Sequence, residues 1–228
     1  LHELNFETLP VSTGEPHYWI EDVTVAIAPS LRLLSSRNGY ARVPKRSLLL
    51  IGDPLSPSPE FPALPDAERE IESIQGRFQA SERAVYSKAS ARPAVYREAN
   101  PARFSMIHFA AHATANRESP LDSAVILSRE ADSYKLYARE VMRVPLRAEL
   151  VTISACRGAG ARSYSGEGLV GFAWAFLQAG AHNVIAGLWD VSDRSTSELM
   201  ANLYSEMAKG LGPAEALRAA KLGLLRSS

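Results

Sequence analysis

Cysteine occurs once in the 228 residues, at Cys156, directly after the apolar run Glu149-Leu150-Val151-Thr152-Ile153-Ser154. That run reads as a strand buried in a sheet, so the thiol is placed at the sheet's rim. The run Phe104-Ser105-Met106-Ile107-His108-Phe109-Ala110-Ala111 leads in the same way into His112. A thiol and an imidazole at two strand ends are the parts of a nucleophilic site, in which the imidazole takes the thiol proton and the thiolate attacks a carbonyl carbon. The imidazole is needed because a free thiol, with a pKa near ~8.5, is only slightly ionised at neutral pH. The backbone N–H groups of Cys156 and Ala113 are the natural donors to the oxyanion that attack creates. His108 falls inside its strand by alternation and is expected to be structural, while His2, His17 and His182 do not fall at such a strand end.

The two candidates are 156 − 112 = 44 residues apart, room for a helix or hairpin between two parallel strands. Strands are predicted at 22–28, 48–51, 84–86, 104–110, 149–154 and 183–188, with a hairpin of 124–127 and 135–137 turning at Asp132-Ser133. Helices are predicted over 64–78, 90–100, 138–143, 168–179, 194–209 and 213–225, the first from apolar residues at spacings of three and four. The proline-rich stretch 54–65 reads as a surface loop or linker. Strands alternating with helices predict an α/β fold, a mostly parallel sheet covered on both faces. Function in such a sheet gathers beyond the carboxyl ends of the strands, where His112 and Cys156 fall. The expected organisation is one domain over 1–228, with an irregular part at 1–46 and a core at 47–228.

Composition narrows the function classes. Lys plus Arg and Asp plus Glu number 25 each, so no net field recruits nucleic acid or an anionic membrane. The apolar runs fall short of the roughly 20 residues that span a bilayer. A single cysteine allows no internal disulfide, and no signal peptide is visible, so a reducing cytoplasm is the expected setting. The chain starts at Leu1 and is expected to be the C-terminal part of a longer protein.

The motifs resemble those of a known family. Ile107-His108-Phe109-Ala110-Ala111-His112 and Thr152-Ile153-Ser154-Ala155-Cys156 are similar to the His and Ser-Ala-Cys motifs of CHAT domains, caspase-like modules related to separases and often fused to tetratricopeptide repeats. Gly166 to Phe172, Ala179-Gly180-Ala181, Gly187 to Val191, Gly212 to Leu217 and Leu1 to Glu7 continue the likeness over nearly the whole chain. The resemblance implies a caspase-like three-layer sandwich and a cysteine endopeptidase. Cys156 would be its nucleophile and His112 its base, cutting a protein or peptide partner through a thioester. It also implies an N-terminal repeat or regulatory region. Two departures stand out: Ala113 replaces the usual glycine after the histidine, and Arg157 follows the cysteine in place of an acid.

Proteases of this fold read a substrate side chain in a pocket beside the nucleophile, and Asp122, Glu167, Asp190 and Asp193 are the acids that could line it. Each also has a structural reading, Asp193 as a helix cap and Asp122 as a hairpin start. Gly166-Glu167-Gly168-Leu169-Val170-Gly171 fits G-x-G-x-x-G, with Asp190 19 residues on (190 − 171). Its first glycine lies 166 − 154 = 12 residues beyond the strand instead of in the tight turn that a dinucleotide needs, so the glycines are expected to permit close helix packing. No cofactor is expected, and scattered histidines with one cysteine predict no metal site. The competing expectation is a catalytically silent caspase-like scaffold.

Overall fold

The computed structural model describes residues 5–12, 14–28, 30, 45–116, 118–154, 167–187 and 193–227. A short antiparallel pair, β1 (Pro10–Val11) and β2 (His17–Tyr18), comes first. The chain then alternates through β3 (Leu48–Gly52), α1 (Ala67–Gln75), β4 (Arg83–Ser87), α2 (Pro93–Glu98) and β5 (Met106–Ala110). Three short antiparallel strands, β6 (Ala113–Thr114), β7 (Ala124–Glu130) and β8 (Ser133–Tyr137), and helix α3 (Ala138–Val141) separate β5 from β9 (Leu150–Ser154). After these come α4 (Glu167–Ala179), β10 (Asn183–Ala186), α5 (Asp193–Ala208) and α6 (Pro213–Ser227).

The main sheet has the order β4-β3-β5-β9-β10, and every pairing in it is parallel. The central strands β3, β5 and β9 are buried at every residue, which explains their near-continuous apolar runs. Side chains alternate between two cores. Along β5, Ile107 and Phe109 face a cluster with Tyr96 of α2 and Phe172 and Phe176 of α4, while Met106 and Ala110 face Ile71 and Ile74 of α1 and Leu203 of α5. In sequence order the sheet runs 2-1-3-4-5, so connections diverge between β3 and β5 and leave a crevice beyond the ends of those two strands.

The aromatic core stacks Tyr96 and Phe176 on Phe109, with centroids 6.0 and 5.8 Å from it. The Tyr96 hydroxyl is buried there without a hydrogen-bond partner among the described residues, and burial pushes its pKa up. An unmade hydrogen bond is unfavourable in such a place. Tyr96→Phe is therefore expected to leave stability unchanged or raise it by about 1 kcal/mol in urea unfolding; a loss of stability would show that the hydroxyl has a partner after all.

Several sequence expectations shift. Segment 22–28 forms no strand: Asp22 closes a 3-10 turn over Trp19–Glu21, and 23–28 carry no regular structure. Its alternation is real, Val23 and Val25 half-buried and Thr24 and Ala26 exposed, but no described strand lies alongside to share a ladder. The first helix is shorter than the apolar spacing suggests, running between Asp66 and Gly76 and leaving Leu64 and Phe78 buried outside its ends. In the second, Pro93 opens the helix at its first turn, where its missing N–H costs nothing, so residues 90–92 stay outside. The hairpin turns at Ala131-Asp132 and not Asp132-Ser133, with Ala131 left-handed at φ 48°. The helix predicted at 138–143 ends at Val141, and the strand expected to reach residue 188 is described only to Ala186.

Of the glycines expected to permit close packing, Gly171 in α4 is the one whose surroundings are described, and it packs tightly. A Cβ placed on Gly171 would lie 2.6 Å from Cβ of Pro120, in the turn that follows the His112 loop. Gly171→Ala is expected to cost about 1–3 kcal/mol through this clash, measured as a drop in the urea midpoint at unchanged slope. The helix ends at Gly180, whose φ of 113° suits glycine and turns the chain towards β10.

Candidate active site

Ala110 and Ser154, the last residues of β5 and β9, are register partners in adjacent parallel strands. His112 and Cys156 each follow two residues later in the chain. Cys156 itself, with the rest of 155–166, lies outside the described residues, as does Asp190. His112 is described fully. It is 5% exposed, and its Nε2 lies 2.8 Å from the carbonyl oxygen of Pro62. Its ring sits 5.9 Å from that of Phe61, and its own carbonyl accepts from the Ile126 N–H at 2.8 Å.

A carbonyl can only accept, so Nε2 carries a hydrogen, and in the neutral ring the lone pair is then on Nδ1. The backbone oxygen of Pro62 thus fixes both the tautomer and the direction of the imidazole, the office a third group performs for a general base. Sequence reasoning missed this partner, because a main-chain carbonyl has no signature of residue type. The loop 54–65 is largely at the surface as expected, but two of its apolar residues are not. Phe61 and Leu64 are buried at 5% and 9% exposure, and the loop is tied down by the bond from Leu55 N–H to Ser128 Oγ at 2.9 Å. Two apolar residues within a proline-rich stretch were the available signal. The prolines restrict the backbone and so help to hold the Pro62 carbonyl in place. This loop leaves β3 and His112 follows β5, so their contact spans the crevice between the two strands.

Ala113 is extended, as the first residue of β6, and needs no positive φ. The bond from Ile126 N–H to the His112 carbonyl makes Ala113 and Val125 a non-hydrogen-bonded pair, so the Ala113 N–H points away from β7. Alanine in place of glycine therefore keeps an amide that can serve an oxyanion.

Of the four candidate pocket acids, Asp122 is the one with a described side chain. It ends a 3-10 turn, pairs with Arg139, and lines an open cleft of about 430 Å³ with Glu60, Phe61, Thr114 and Lys135. Phe61 and Thr114 bring that cleft alongside His112, but the pairing with Arg139 already answers the Asp122 charge. Glu167 and Asp193 are the first residues of α4 and α5. Sequence reading also missed Asp53 and Lys88, left-handed at φ 49° and 50° just past the tips of β3 and β4 and joined by a 2.5 Å ion pair. This contact raises the Lys88 pKa, chiefly through the hydrogen bond to Asp53. Left-handed conformations are unfavourable for such residues and persist here under tertiary constraint.

A five-stranded parallel sheet layered between helices is a caspase-like three-layer sandwich. A family model for the CHAT domain matches residues 1–228, and the chain belongs to that family. A search of curated proteins found no match. Among the described residues, no helix is long and apolar enough to cross a membrane.

Proposed function

We propose that this chain is a cysteine endopeptidase in which Cys156 is the nucleophile and His112 the general base. The observation that carries the reading is the 2.8 Å bond from His112 Nε2 to the Pro62 carbonyl, which leaves Nδ1 as the basic nitrogen of the neutral ring, on the chain that follows β5, the parallel neighbour of the strand leading to Cys156. In the proposed reaction Nδ1 takes the thiol proton, and sulfur attacks the scissile carbonyl carbon. The oxyanion is held by the N–H groups of Ala113 and Cys156. Collapse breaks the C–N bond, and the imidazolium gives its proton to the leaving amine. A water then loses a proton to His112 and attacks the thioester, releasing a carboxylic acid product and restoring the thiol.

The test is cleavage of a peptide library by the 228-residue chain and by Cys156→Ala. Cleavage by the first and not the second supports the reading and reports the preferred side chain. Equal product from both, or a wild-type Cys156 alkylated by iodoacetamide no faster than free cysteine, favours a silent scaffold.

A further inference from the structure

On the α1 and α5 face of the sheet lies a group of three polar side chains that the proposed chemistry does not use. His108, in β5, is fully buried. Its Nε2 is 2.7 Å from Oε1 of Glu70 in α1, and its Nδ1 is 3.2 Å from the hydroxyl of Tyr204 in α5. Glu70 is 2% exposed, and the Tyr204 ring meets the imidazole edge-on at 5.5 Å. Burial pushes the Tyr204 phenol well above its ordinary pKa, so the hydroxyl keeps its proton. A carboxylate only accepts, so Nε2–H donates to Glu70, and in the neutral ring Nδ1 is then the acceptor for the Tyr204 hydroxyl. Desolvating a carboxylate and an imidazole is unfavourable, and apolar side chains would fill the same space without that cost. What a directional polar link adds is a fixed placement of one element on another.

The placement bears on the site through a single stretch of chain. Glu70 follows Pro62 by 70 − 62 = 8 residues, and His112 follows His108 by 112 − 108 = 4 residues. Segment 61–70 therefore touches the β5 chain at two points. Glu70 grips His108, and the Phe61 ring and the Pro62 carbonyl grip His112. Any slip of α1 along β5 would carry the Pro62 oxygen away from Nε2. We propose that Glu70 and His108 are positioning residues for the catalytic base, seating α1 on β5 so that the Pro62 carbonyl holds the His112 ring. Tyr204 completes the seat from α5. This inference rests on the peptidase reading for its effect on rate, but not for its effect on the His112 ring.

The experiment compares Glu70→Ala and Glu70→Gln by kinetics on a cleaved peptide and by ¹⁵N NMR of the His112 ring. Glu70→Gln keeps an oxygen that accepts from Nε2–H and is expected to stay within about twofold of wild type in kcat. Glu70→Ala is expected to lower kcat by about 10- to 100-fold, the scale of an ångström-sized misplacement, with KM nearly unchanged. It should also displace the midpoint of the pH–rate profile and move the His112 ring signals towards mixed tautomers. If Glu70→Ala does not fold, Tyr204→Phe, which keeps the ring and removes the hydroxyl that bonds His108, is expected to show the same changes at a few-fold scale. A lowered melting temperature with kcat, pH midpoint and His112 signals unchanged in the folded protein overturns the proposal. If the wild type cleaves nothing, the peptidase reading fails separately. The His112 signals then decide alone, a tautomer change in Glu70→Ala supporting the positioning role and none overturning it.

Discussion

His112→Ala is expected to lower kcat for peptide cleavage by about 10²–10⁴-fold, the range that a positioned proton-transfer group contributes. Two steps lose their catalyst at once. The thiol must ionise without an acceptor, and the amine must leave without a donor. The loss should fall on kcat far more than on KM, because the imidazole acts on charge that develops in the transition state. The same substitution should slow iodoacetamide labelling of Cys156, which reads thiolate supply without any substrate. His112 also packs against Phe61 and the Pro62 carbonyl, so part of any stability change comes from that loop. Labelling at the wild-type rate in a folded His112→Ala protein would show that the imidazole does not serve the thiol.

Ala113→Pro is expected to reduce kcat by about 10²–10³-fold, the effect of removing one oxyanion donor, while Ala113→Gly stays close to wild type. Proline removes the amide hydrogen at a position whose N–H is not committed to β7, while its ring also fixes φ at 113 and restricts the backbone of His112 before it. Ala113 already lies in extended backbone of a two-residue strand, where proline is tolerated better than in a central strand. Circular dichroism, a urea midpoint and His112 ring ¹⁵N signals all near the wild-type values would establish that the loss comes from the missing amide and not from a displaced His112. Equal activity of the proline variant would remove Ala113 from the mechanism.

Much of this arrangement is legible in the residues. The three central strands announce themselves as apolar runs because a parallel strand covered on both faces has no polar side to show. Their ends follow from where the runs stop, and this is enough to set His112 and Cys156 each two residues beyond a strand. Helix boundaries were less legible, since Leu64 and Phe78 keep the helical spacing although Asp66 and Gly76 end the helix inside them. Segment 22–28 shows the opposite failure, for alternation describes a strand's faces but not whether a neighbour exists to receive its hydrogen bonds.

By itself, then, the sequence determined the α/β alternation, the buried strands, and that His112 follows one of them, because burial and alternation are local properties written in residue type. The tertiary structure alone decided the neighbours of those residues. It set β5 between β3 and β9, brought the Pro62 carbonyl onto His112, and joined Glu70 to His108 and Tyr204. These are meetings of groups far apart in the chain, one of them a backbone oxygen that every residue carries, and only the packing of layers selects which of them meet.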